Sequence, residues 1–180
     1  MILTPDAIET IKALVLCEVG NLEPIRTVAV ESLDREKALL MFAEEIKKMG
    51  FRCDEYSSKI IEIVISTWKK MDGSLHQLKS QTPGQCKRYP AWRLTRIGYR
   101  ETPRQDWYAR WTAAGNLINW EGACLSDLVA LKDSPIWQAL GDGAGGFTDT
   151  WGNPYPPFAI DSGMGWSRVN ADEAHVLGLI

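Results

Sequence analysis

Apolar residues along the first half of the chain recur at steps of three and four. After Thr4-Pro5-Asp6, which supplies a capping hydroxyl, a proline suited to the first helical position and an acid for the dipole, come Ile8, Ile11, Leu14, Val15 and Val19. The spacing predicts a helix over residues 5–19, stopped by Gly20-Asn21. Residues 24–32 are ambiguous, because Thr27, Val28 and Val30 suit a short strand while the segment that follows is plainly helical. Residues 34–49 place Ala38, Leu39, Phe42, Ile46 and Met49 on one face, with Gly50 as the stop, which predicts an amphipathic helix. Residues 51–56 alternate weakly and fit a short strand or loop. Over 59–71, Ile60, Ile61, Val64, Trp68 and Met71 fit a helix better than the competing strand pattern of Ile61, Ile63 and Ile65.

The pattern then changes. Residues 74–88 hold few large apolar side chains and contain Thr82-Pro83-Gly84-Gln85, a turn signal, so they read as a linker. Trp92, Leu94 and Ile97, alternating with polar residues, predict a strand. Residues 106–114 predict a helix carrying Trp107, Trp111 and Ala114, closed by Gly115; 124–130 suggest a helical turn, and Ser134-Pro135 opens a helix ending at Leu140-Gly141. Residues 142–165, rich in glycine and proline, predict irregular structure, and 171–177 a last helix capped by Asn170. The expected class is α+β, mainly α: an N-terminal helical lobe (1–75), a linker (76–88), and an irregular Trp/Pro/Gly-rich C-terminal module (89–180) with short strands and helices.

Composition adds that 180 residues, with 45% hydrophobic and 24% charged side chains, suffice for a respectable core and lie far from disordered composition. No apolar run approaches the roughly 20 residues that span a bilayer, and the N-terminus lacks the basic and apolar regions of a signal peptide. Charge is segregated. Residues 69–110 carry 10 basic and 3 acidic side chains, against 8 and 12 in residues 1–68 and 2 and 8 in residues 111–180. A +7 segment between acidic flanks favours head-to-tail contacts between subunits, or contact with a polyanion. Six of the eight tryptophans lie from Trp107 onward, where large rings set among glycine and proline can order a segment with little regular structure.

Candidate chemistry is sparse. Cys17, Cys53, Cys86 and Cys124 are spread along the chain without metal-ligand pairing and read as mostly buried free thiols. Gly141-Asp142-Gly143-Ala144-Gly145-Gly146 has the composition of a phosphate loop but lacks its Lys-Ser/Thr, and Asp142, Asp149, Asn153 and Asp161 do not have calcium-loop spacing. Ser162 or a cysteine with His175 is a weak nucleophile-base pairing without an elbow motif around it. No cofactor, metal or catalytic residue is expected. The strongest signal is the stretch 87–111, where Lys87, Arg88, Arg93, Arg96, Arg100, Arg104 and Arg110 interleave with Tyr89, Trp92, Tyr99, Trp107 and Tyr108. That mixture suits a protein interface first and nucleic acid second.

Several segments of the second half resemble a C-terminal module of tailed-phage and prophage head-morphogenesis (minor head) proteins. They are Tyr89-Pro90-Ala91-Trp92-Arg93-Leu94, Pro103-Arg104-Gln105-Asp106-Trp107 with Arg110-Trp111, Ala130-Leu131-Lys132-Asp133-Ser134-Pro135-Ile136-Trp137, Gly152-Asn153-Pro154-Tyr155-Pro156-Pro157-Phe158 and Ser162-Gly163-Met164. Only about 85 residues precede the module, fewer than in minor head proteins, so a head-completion, adaptor or neck component is the alternative within the same class. The resemblance implies a virion or assembly role in the host bacterial cytoplasm, with portal, capsid or neck subunits or further copies of the chain as partners, and no membrane. The expected contact residues are Arg93, Arg96, Arg100, Arg104, Trp107, Arg110, Trp111, Trp137, Tyr155 and Phe158. A nucleic-acid-binding accessory protein using the same stretch is the second expectation, and a small hydrolase the third.

Overall fold

The structure, a computed structural model, describes residues 4–18, 20–31, 35–50, 55–98, 104–120 and 127–180. The class is α+β, mainly α. The chain divides into two compact units, Met1–Gly73 and Ser74–Ile180.

The first unit is built from α1 (Pro5–Val15), α2 (Glu23–Glu31), α3 (Arg35–Lys48) and α4 (Glu55–Lys79) as far as Gly73. Thr4 caps α1, its Oγ1 accepting from Ala7 N–H at 3.3 Å. The helix stops at Val15, earlier than its apolar spacing predicts. Cys17 turns left-handed (φ 57°) there, and the Glu18 and Cys17 N–H groups bond back to the Ala13 and Leu14 carbonyls. That is a Schellman ending with cysteine in the position glycine usually fills. The ambiguous segment is the helix α2: Ile25 and Ala29, four apart, are its buried side chains. Phe42 of α3 meets Trp68 of α4 edge to face with centroids 5.5 Å apart, and the Trp68 indole N–H donates to Val15 O at 2.8 Å. These contacts fasten three helices around one ring. The strand or loop expected over 51–56 falls mostly outside the described residues.

The expected linker is helical. Its first residues continue α4, whose Leu78 packs on the core of the second unit, and its last form α5 (Pro83–Arg88). Thr82-Pro83-Gly84-Gln85 is a capping box rather than a free turn: Thr82 Oγ1 accepts from Gln85 N–H, and Gln85 Oε1 from Thr82 N–H. A short exposed helix needs caps more than apolar residues, and so looks like a linker in the sequence.

The second unit adds β1 (Ala91–Arg96), α6 (Trp107–Leu117), β2 (Val129–Leu131), α7 (Ile136–Gly141), β3 (Met164–Val169) and α8 (Ala171–Val176). The strands form an antiparallel sheet in the order β2-β1-β3, with Trp92 opposite Ala130 and Arg168, and Leu94 opposite Trp166. Alternation along the strands gives the sheet two faces. Trp92, Leu94, Ala130, Met164 and Trp166 join a large cluster with Trp107, Trp111, Ile136, Trp137 and Phe158. Ala91, Val129 and Val169 pack with Ala174 of α8. Trp92 stacks on Trp166 at 5.1 Å, and Trp137 stacks on Phe158 at 5.9 Å while meeting Trp111 and Trp166 edge to face.

Two departures stand out. The helical turn expected at 124–130 is, where it is described, a turn through Asp127 and Leu128 into β2, because Val129 and Ala130 complete both faces of the sheet. Residues 164–165, expected to be irregular, open β3, an edge strand held beside the central β1 by pairing over six residues. Asn170 caps α8 as expected, accepting from Glu173 N–H at 2.8 Å.

Candidate functional site

Arg110 lies on the buried side of α6, one turn after Asp106, and its Nε donates to Asp106 Oδ2 at 2.8 Å. Its Nη2 donates to Asp149 Oδ2 at 3.2 Å; Nη1 approaches Asp149 Oδ1 to 2.9 Å, an ion-pair contact outside hydrogen-bond alignment. The guanidinium also sits over the rings of Phe147, at 4.1 Å, and Trp107, at 5.3 Å. Arg104 completes the cluster: one arm bonds Asp149 Oδ2 and the other donates to Ile160 O at 2.8 Å. The main chain of Asp149 in turn accepts from Ile160 N–H. Burial alone would raise the Asp149 pKa, but the bonds from Arg110 and Arg104 and their charges outweigh it, and the carboxyl is held below its ordinary value. Two arginines thus clamp the loop 149–160 through one carboxylate.

The ten expected contact residues divide sharply. Trp107, Trp111, Trp137 and Phe158 are core residues, and Arg110, at 5% exposure, is buried with them. Arg93 is half-buried on the opposite face of the sheet and pairs with Glu173 at 2.7 Å. Tyr155 is half-buried against the same core, its carbonyl accepting from Asn153 Nδ2. Arg96 is exposed and donates to Arg104 O at 3.2 Å. Arg100 lies outside the described residues. The tryptophans therefore hold the unit together, and three of the arginines are spent on internal carboxylates.

The candidate chemistry is dispersed. Ser162 is buried ahead of β3, its Oγ accepting from Met164 N–H, whereas His175 is exposed on α8 at the far end of that strand; no hydrogen bond joins them. Asp142 accepts from Gln138 and Asp149 serves the arginines, so neither is a free member of an oxygen cage. Among the described residues no three His, Cys, Asp or Glu side chains gather as metal ligands. Cys17 is half-buried and Cys86 exposed, against the expectation of burial, while Cys53 and Cys124 fall outside the described residues. No described helix is long and apolar enough to cross a membrane.

Sequence reasoning missed Asp149 as the arginines' partner and Lys132 as a cation over the sheet. The Lys132 ammonium lies 4.3 Å from the Trp92 ring centre. Nothing in local spacing links Asp149 to Arg110, 39 residues away. Compared with known protein families, with curated proteins and with solved structures, the chain finds no match in any of them.

Proposed function

We propose that the chain is a structural or assembly protein of a tailed phage or prophage, placed at the head or the head-tail junction and acting through protein-protein contacts. The observation that supports this reading is where the resembling segments meet. Trp92 and Leu94, Trp107 and Trp111, Ala130 with Ile136 and Trp137, Phe158, and Met164 come from five separate segments, yet all belong to one buried cluster. The likeness therefore follows a folding unit rather than scattered matches, and a shared core is what a shared module requires. The contacts belong to the exposed side chains around that core, and the proposal gives the chain no catalytic role. Mass spectrometry of purified virions and of assembly intermediates tests it: the protein is expected in reproducible amount in one or both, and its absence from all of them removes the proposal.

A further inference from the structure

The fold consumes the basic stretch unevenly. Arg93, Arg104 and Arg110 each hold a carboxylate. At the start of the stretch, Lys87 and Arg88 are exposed on the last turn of α5, and neither forms an ion pair among the described residues. They line an open groove of about 460 Å³ between α5 and the beginning of α8, together with Tyr89, Asn170 and Asp172. Arg168 of β3 flanks it, exposed, with its guanidinium 5.7 Å from the centre of the Tyr89 ring. Positive charge is concentrated here.

We infer that this groove is a binding site for single-stranded nucleic acid, with phosphates on Lys87, Arg88 and Arg168, a base against Tyr89, and Asp172 accepting from base N–H groups. The mixed lining decides the ligand class. Cations alone would suit any polyanion, but a half-buried aromatic ring beside them offers a stacking surface that every exposed base can use. Asp172 repels peptide carboxylates and phosphates alike where they come close, but a nucleobase also presents N–H donors that it can accept. A duplex keeps its base faces stacked inside and has nothing to lay on Tyr89. The groove's volume lies in the range of sites that take a ligand the size of a nucleotide, about 300–1,000 Å³.

Fluorescence anisotropy of a labelled deoxyoligonucleotide of about 12 residues, titrated with the full chain across a range of salt, tests the inference. The parent chain is expected to bind at low salt and to lose affinity as salt rises. The double variant Lys87→Gln/Arg88→Gln, altered only at exposed positions, is expected to bind about tenfold or more weakly, with a salt slope shallower by about 1.4 if each cation meets one phosphate. Tyr89→Leu should weaken binding about five- to a hundredfold with the slope unchanged, while Tyr89→Phe, which keeps the ring, should bind like the parent. Arg96→Gln, outside the groove, should change neither quantity. No binding at low salt overturns the inference, as does a Lys87→Gln/Arg88→Gln chain that binds like the parent. Equal loss in Arg96→Gln would mean diffuse surface charge, and equal competition by polyglutamate of the same charge would mean an acidic protein partner; either result also overturns it. None of these outcomes bears on whether the protein is found in virions.

Discussion

Arg110 and Arg93 are both arginines paired with acids, yet they differ in what their loss should cost. Arg110 is almost wholly enclosed, so truncating it leaves the buried Asp149 with Arg104 alone and removes the cation from over the Phe147 ring, while Asp106 turns to water. Arg93 and Glu173 are each more than a third water-exposed or close to it, where screening and side-chain entropy cancel most of the attraction. Arg110→Ala is therefore expected to lower the free energy of unfolding by about 1–3 kcal/mol, and Arg93→Ala by under about 1 kcal/mol; urea denaturation of the two variants measures both. Asp149 makes the same cluster sensitive to acid. Its folded pKa lies below the unfolded value of about 3.9, so the stabilisation is complete above that value and is lost as pH falls through the folded pKa. Stability of the parent chain should thus decline more steeply below about pH 4 than that of Asp149→Asn, which has no proton to take up there. Trp107, Arg110 and Trp111 were legible in the sequence as important residues. Their role was not, because the same side chains build an exposed contact patch or a buried clamp, and the deciding partner lies far along the chain.

Element by element, the sequence was readable where local chemistry fixes the outcome. The starts of α1 and α8 follow from Thr4-Pro5-Asp6 and Asn170, and α7 ends at Gly141 as expected. It was misread where another residue does the work of glycine. Asn119 (φ 52°) ends α6 two residues beyond the predicted stop at Gly115, which stays inside the helix and accepts the closing N–H of Trp120. Cys17 does the same for α1 without asparagine's tolerance of that conformation. Cys17→Gly should remove the strain and raise the unfolding free energy by about 1 kcal/mol, measured by thermal or urea unfolding; a loss of stability would show that contacts of the Cys17 side chain outweigh the strain. The strands β2 and β3 escaped prediction for a different reason. Val129–Leu131 and Met164–Val169 are held by pairing with β1, a non-local interaction that leaves no period in so short a run.

On the scale of the whole molecule, folding draws part of the charge segregation seen in the sequence back together within the second unit. The basic middle segment returns three of its arginines to acids of the C-terminal segment, Arg93 to Glu173 and Arg104 and Arg110 to Asp149, and leaves Lys87 and Arg88 exposed at the α5 groove. Sequence separation of charge therefore described how the second unit closes as much as what it meets. The tryptophans are partitioned as unevenly as the charges: Trp68 is the single one within Met1–Gly73, and the other seven fall within Ser74–Ile180. Because Trp68 is fully buried and hydrogen-bonded, its emission should be blue-shifted while the helical unit is folded. Trp68→Phe keeps an aromatic ring against Phe42 and extinguishes that signal, so that all remaining tryptophan fluorescence comes from the C-terminal unit. Difference spectra between the parent and Trp68→Phe chains during denaturation would then read the two units separately, giving the protein a built-in pair of optical channels with no added dye.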